Sequence, residues 1–183
     1  MIVTGGAGFL GSHVVGQLLD LGYEVAVIDN LHSGTLGNLY EGVDFYESDI
    51  SSVSLDNIFE SVKPDIVIHL AAQISVQASM HDPVFDARIN VEGSLNIIDL
   101  CTRYRVGKMI YASSGGAIYG EPEYLPCDEA HPIRPLSNYG VSKFAVENYL
   151  FVQKKSHGLD YTILSFGNIY GVTCHTLNQP FNG

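Results

Sequence analysis

Short β-branched and aliphatic runs alternate along this chain with longer stretches in which apolar positions recur every three or four residues. The apolar runs predict strands at 2–4, 24–28, 43–47, 66–70, 108–112 and 161–165. The periodic stretches predict helices at 9–21, 54–61, 84–104 and 139–157. Strands that are apolar on both faces must be covered on both faces, and strands separated by helices pair in parallel. With right-handed crossovers, the expected architecture is α/β: a doubly wound parallel sheet with helices on both faces. No internal repeat or low-complexity segment interrupts the alternation.

Local signals mark some boundaries. Asp82-Pro83 predicts an N-cap followed by proline at the first helical position. Arg103 and Arg105, with Gly107 beyond, suit the negative end of a helix dipole and a left-handed stop. The stretch 120–137 holds Pro122, Pro126, Pro132 and Pro135 and is expected to be a loop. Irregular segments of that length in a compact domain tend to form the wall or lid of a site. No element is predicted for the tail at 172–183.

Composition narrows the classes of function. The chain has 183 residues, 46% hydrophobic and 16% charged, which suits one core-forming domain and excludes a disordered one. A net charge of −11 disfavours nucleic-acid backbones and acidic membrane surfaces as partners. Apolar runs such as Asp65-Ile-Val-Ile-His-Leu-Ala-Ala72 are far too short to span a membrane. Cys101, Cys127 and Cys174 form neither a zinc pattern nor a disulfide framework, which points to the reducing cytoplasm. Met1 passes at once into the first strand, so no leader is expected before the fold.

The first candidate chemistry lies where the first strand meets the first helix, at Thr4-Gly5-Gly6-Ala7-Gly8-Phe9-Leu10-Gly11. Gly5, Gly8 and Gly11 have the spacing G-x-x-G-x-x-G, a variant of the dinucleotide-binding fingerprint. The first glycine permits a tight turn, the second admits the backbone to a pyrophosphate, and the third lets the helix lie close to the sheet. The helix N-terminus offers free N–H groups, so an acidic chain needs no lysine to bind phosphate here. Asp29-Asn30 ends the second strand 18 residues beyond Gly11. A carboxylate there accepts hydrogen bonds from an adenosine ribose and repels a 2′-phosphate, favouring NAD over NADP. A glycine-rich turn without ligand, followed by a solvated acid, is the plainer alternative. Asp49-Ile50 after the third strand suits a place beside the adenine, and a helix-capping aspartate accounts for it equally well. Leu70-Ala71-Ala72 is small and apolar enough for close passage of the dinucleotide, or for simple packing at the core edge. His69 reads as a satisfied buried histidine rather than a catalyst.

The second is Tyr139-Gly-Val-Ser-Lys143. Positions i and i+4 share one helix face, so the phenol and the ammonium can reach one cleft. A phenol near pKa ~10 is a poor base at neutral pH. A neighbouring ammonium favours the phenolate, which makes the pair an acid/base unit for an alcohol proton, and Lys143 can also hold nicotinamide ribose hydroxyls. Ser113-Ser114 ends the strand that precedes this helix.

Together with His69-Leu-Ala-Ala72, Asn90-Val-Glu-Gly93 and Ser113-Ser-Gly-Gly-Ala-Ile-Tyr-Gly120, these motifs resemble the extended short-chain dehydrogenase/reductases. Within them the chain is most similar to nucleotide-sugar epimerases of the UDP-glucose 4-epimerase type, from Ile2 to about Gly171. The resemblance implies a Rossmann-like domain at 1–171 that uses NAD as a bound catalyst on a UDP-hexose. It implies cofactor contacts from Gly5, Gly8, Phe9, Leu10, Gly11, Asp29 and Asn30 at the adenosine end. It further implies them from Asp49, Ile50, Leu70, Ala71, Ala72, Asn90, Tyr139 and Lys143. Tyr139 would take the sugar 4-hydroxyl proton while C4 gives hydride to NAD, and hydride would return to the other face of a rotated 4-keto sugar.

Three departures stand out. Gly115 occupies the place of the family's catalytic Ser/Thr, which leaves Ser114 as the candidate donor. Gly116-Ala117 lacks the acids of the related dehydratases and decarboxylases, which disfavours both reactions. Family members carry Arg near Ser165 and Pro at Val172 and continue into a substrate lobe, so the C-terminal lobe is expected to be missing from a truncated chain. A nucleotide-sugar or sterol-type dehydrogenase and a non-catalytic NAD-binding module remain the alternatives. The resemblance also implies a homodimer through the helices bearing Val84 and Tyr139. Ordinary core burial explains the spacing of Ala87, Val91, Leu95 and Ile98 equally well.

Overall fold

The computed structural model describes residues 1–171, so the predicted irregular tail and Cys174 lie outside the described residues. Strands β1 (Ile2–Thr4), β2 (Ala26–Asp29), β3 (Asp44–Glu47), β4 (Ile66–His69), β5 (Lys108–Ser114) and β6 (Tyr161–Phe166) each overlap a predicted run. They form one wholly parallel sheet in the order β3-β2-β1-β4-β5-β6. The connections hold α1 (Phe9–Asp20), α2 (Leu55–Val62), α3 (Val76–His81), α4 (Pro83–Ala87), α5 (Ser94–Arg103), the single turn α6 (Gly115–Ile118) and α7 (Asn138–His157). A 3-10 turn at Leu36–Asn38 and a π-helical turn at Arg88–Gly93 complete them.

Period-two alternation along the strands builds two cores. Ile2, Ile28, Val67, Met109 and Tyr111 face α2, α5 and α7, where Leu55, Phe59, Ile97, Val146 and Leu150 meet them. Val3, Val27 and Ile68 face the other way, onto Val15 and the rest of the inner face of α1. Truncating a fully buried side chain such as Phe59 costs about 3–5 kcal/mol.

The structure revises the element boundaries in three places. The helix expected at 84–104 is α4 and α5 joined by the π-helical turn. A π turn adds one residue without changing the apolar pattern on either side, so periodicity alone does not reveal it. Asp82 does cap α4, accepting from Phe85 N at 2.9 Å with Pro83 next to it. The left-handed residue after α5 is Arg105 (φ 53°), not Gly107. The helix ends at Arg103, and Val106 N donates back to Cys101 O at 2.9 Å, which fixes the turn residue at 105. Helix α3 had no predicted counterpart. Six residues with only Ser79 buried carry too little pattern, although Ser75 caps it by accepting from Ala78 N at 3.1 Å. Residues 119–137 contain no helix or strand, as expected.

Candidate functional site

Strand order reverses between β1 and β4, whose carboxyl ends lie side by side with Thr4 opposite His69. In a doubly wound sheet a ligand crevice opens at such a reversal. The glycine turn sits there. Gly5 takes φ +71° and donates to Ile28 O at 2.8 Å. A Cβ on Gly11 would lie 2.0 Å from Gly5 O, so any side chain at 11 must displace the turn. Helix α1 starts after Gly8 with no side-chain cap and no acid in its first turn, which leaves its leading N–H groups, at Phe9 and Leu10, without intrahelical acceptors.

Asp29 holds the turn in place. Its Oδ2 accepts from Ala7 N at 3.0 Å and its Oδ1 from Leu31 N at 2.8 Å. Each oxygen keeps a lone pair for a further donor. Asn30 donates to Asp49 Oδ2 at 2.8 Å, and Asp49 Oδ1 accepts from Ser51 N and Oγ at 2.9 and 2.7 Å. Burial raises the Asp49 carboxyl, but the bonds from Ser51 and Asn30 outweigh it and hold the group below the ordinary carboxylate value. Asp49 therefore closes a local turn and does not cap α2, which begins after Ser54. Ile50 is a core residue, and its carbonyl takes Asn96 Nδ2 at 2.8 Å. Leu70, Ala71 and Ala72 lie half-buried just past β4, with Ala71 N on Thr4 Oγ1 at 3.2 Å. His69 is sealed between Thr4 Oγ1 (2.6 Å) and Ser94 Oγ (3.0 Å), and burial pushes it down to about 3, with Lys143 adding to the effect. It is a neutral, satisfied core group.

Tyr139 enters from the start of α7. Ser137 caps that helix through Gly140 N at 3.1 Å, while Tyr139 N donates to Ser79 Oγ at 3.1 Å and Asn138 Nδ2 to Ser79 O at 2.9 Å. A Cβ on Gly140 would stand 2.4 Å from Ala117 O, so glycine lets α6 close against α7 and bring the end of β5 to Tyr139. Ser114 stands there beside the Tyr139 phenol and pulls its pKa down. Lys143 is 4% exposed. Its Nζ donates to Ala112 O at 3.0 Å and stands 4.9 Å from the Tyr111 ring centre and 5.8 Å from that of Tyr139. Burial pushes Lys143 down to about 8, and Asp86 and Glu147 resist that fall.

The phenol does not follow the sequence expectation. Burial raises it above its ordinary value and Asp86 raises it further, with only Ser114 pulling the other way. The lysine is drawn to Ala112 O and the ring faces instead of to the phenol oxygen. Asn90 is also placed differently. Its amide accepts from Gln73 N and donates to Gln73 O, both at 2.9 Å, and donates to Asp86 Oδ1 at 2.9 Å. It secures the loop after β4. Asp86, Gln73, Ser79, Ser142 and Glu147 escaped the sequence reading; the one available signal was a buried-face Asp86 four residues before Asn90.

Taken together, the uncapped helix start, the cradle that a Cβ at 11 would fill and the clasped carboxylate of Asp29 fit a dinucleotide pyrophosphate and its ribose. Comparison with known proteins agrees in kind. The model of the NAD dependent epimerase/dehydratase family matches residues 1–180. The UDP-glucose 4-epimerase of Mycolicibacterium smegmatis is 38% identical over 175 residues, covering 93% of this chain and 56% of the relative. The Thermus thermophilus UDP-glucose 4-epimerase, solved in complex with NAD, superposes with a TM-score of 0.91 at 47% identity, over 93% of this chain and 55% of that one. The Thermotoga maritima UDP-glucose 4-epimerase with UDP-glucose gives 0.91 at 44% identity, over 93% and 56%. The chain thus spans about half the length of the relatives it matches.

Proposed function

This chain belongs to the NAD dependent epimerase/dehydratase family, and on that premise we propose that it binds NAD and carries the cofactor side of a UDP-hexose 4-epimerisation. The observation that carries the reading is one of placement. The glycine turn, the clasped Asp29 and the Tyr139–Lys143–Ser114 group all lie along the carboxyl edge of one parallel sheet. Residues 1–171 act as the NAD-binding domain in this reading. Gly5, Gly8 and Gly11, with the N–H groups of Phe9 and Leu10, hold the pyrophosphate. Asp29 and Asn30 hold the adenosine ribose, and Asp49 lies toward the adenine. Leu70, Ala71 and Ala72 line the passage to the nicotinamide end, and Asn90 fixes the loop beside it. When bound, the cofactor supplies the acceptor and donor of a hydride. Tyr139 Oη takes the sugar hydroxyl proton and gives it back, Ser114 Oγ hydrogen-bonds the same sugar oxygen, and Lys143 holds ribose hydroxyls.

We also propose a homodimer. Pro83, Val84, Ala87, Val91 and Leu95 border a surface groove of about 570 Å³, and Val84 is 66% exposed. Helix α7 beside it exposes Val141 and Val152. Of the four positions named from the sequence, Ile98 is in the core, Leu95 packs half-buried against it, and Ala87 is exposed. A cytoplasmic setting suits the free thiols of Cys101 and Cys127; among the described residues no helix is long and apolar enough to cross a membrane. The function is tested by incubating the NAD-loaded chain with UDP-galactose and following UDP-glucose. Conversion that disappears in Tyr139→Phe supports the reading. Failure to convert UDP-galactose despite bound NAD overturns the epimerase assignment for this chain.

A further inference from the structure

Beneath Tyr139 lies a carboxylate that the cofactor and the sugar do not need to touch. Asp86 is completely buried (0% exposed). Its Oδ1 accepts from Gln73 Nε2 at 2.8 Å and Asn90 Nδ2 at 2.9 Å, and its Oδ2 accepts from Ser142 Oγ at 2.6 Å. These donors come from three separate segments: the loop after β4, the π-helical turn and α7. Ser142 directly precedes Lys143. Removing a carboxylate from water is costly, and three neutral donors spread its charge without cancelling it.

The same region holds a second charge in need of compensation. Lys143 is almost fully buried, and Ala112 O at 3.0 Å with one ring face at 4.9 Å replaces little of its hydration. The titratable groups that bear on it are Asp86 from α4, Glu147 and Tyr139 from α7, Tyr111 from β5 and His69 from β4. Tyr111 contributes a hydroxyl with no hydrogen-bond partner among the described residues, and His69 is neutral, so neither balances the ammonium. Of the two carboxylates, Glu147 is half-buried and bound by Ser113, and burial raises it toward its neutral form. Asp86 is sealed from solvent, where a charge acts through a low dielectric.

We propose that Asp86 is the positioning residue of the Tyr139–Lys143 pair: its one buried carboxylate ties the loop after β4, the π-helical turn and α7 together and serves as the counter-charge of Lys143. What the pair does rests on the proposed function, but the coupling belongs to the chain without any ligand.

The test uses the full chain labelled with ε-¹³C lysine, with the Lys143 resonance identified by its loss in Lys143→Arg. In the wild type the resonance titrates near 8. Asp86→Asn keeps the size and removes the charge, and the midpoint falls by about 1 pH unit. Glu147→Gln moves it less. A second measurement is a mutant cycle, and where Asp86→Asn alone does not fold, the proposal requires that Asp86→Asn/Lys143→Met does, because both charges leave together. Urea unfolding of Asp86→Asn, Lys143→Met and the double variant forms a cycle in which the double variant is more stable than the sum of the single losses predicts. An unmoved Lys143 midpoint in folded Asp86→Asn, or strictly additive losses around the cycle, overturns the proposal. A chain that binds no NAD yet shows the coupling sinks the proposed function and leaves this inference standing.

Discussion

Acidifying the solution from pH 7.5 to 5.0 removes stability that traces to His69. The ring is 1% exposed, held between Thr4 and Ser94, and lowered from its ordinary 6.5 to about 3 by burial and by Lys143. Its folded pKa lies below its unfolded one, so the unfolded chain takes up the proton first. The contribution is fully present above 6.5 and is lost as the pH falls through that value toward 3. At pH 5.0 the linkage amounts to a loss of ~2 kcal/mol from this one residue, and at pH 7.5 to almost nothing. His69→Gln retains a donor and an acceptor for Thr4 and Ser94 but cannot titrate. Urea unfolding followed by circular dichroism, run on both proteins at both pH values, isolates the effect from the other histidines. The variant is the less stable at pH 7.5, and the gap narrows by ~2 kcal/mol at pH 5.0. A gap independent of pH would show that the ring is not held neutral, and would refute the burial argument.

Further consequences concern the turn and its neighbours. Gly11→Ala places a Cβ 2.0 Å from Gly5 O, so thermal unfolding shifts downward and NAD binding measured by calorimetry disappears. Asp29→Ala frees the N–H groups of Ala7 and Leu31 and costs about 1–3 kcal/mol in chemical denaturation, with weaker NAD binding. Lys63 ends α2 at φ 46°, a left-handed position that glycine adopts without strain, so Lys63→Gly gains roughly 1 kcal/mol in the same assay. Val91→Glu places a charge in the groove beside Val84 and shifts the sedimentation coefficient from dimer to monomer.

The sheet was legible because its signal is strong and local. Ile2, Val27, Val67 and Met109 sit in runs that leave a strand no polar face, and parallel pairing follows from the helices between them. The glycine turn was legible for a related reason: its function is written in the absence of side chains at fixed spacing. What was hidden depended on contacts between distant segments. Ser79 caps Tyr139 from 60 residues away, and Asp86 reaches Ser142 across 56. The charge state of Tyr139 was hidden too, because a motif shows which groups are near but not how much water they lose. Ile50 illustrates the same limit, since its neighbour Asp49 is only half-buried while it packs in the core.

The central claim is that the turn at 5–11 is a dinucleotide site governed by Asp29. Equilibrium titration of the full chain with NAD and, separately, NADP tests it most directly. Saturable one-to-one binding of NAD, about tenfold or more weaker binding of NADP, and loss of both in Gly11→Ala are the predicted results. No binding of NAD, or equal binding of both nucleotides that survives Gly11→Ala, would contradict it.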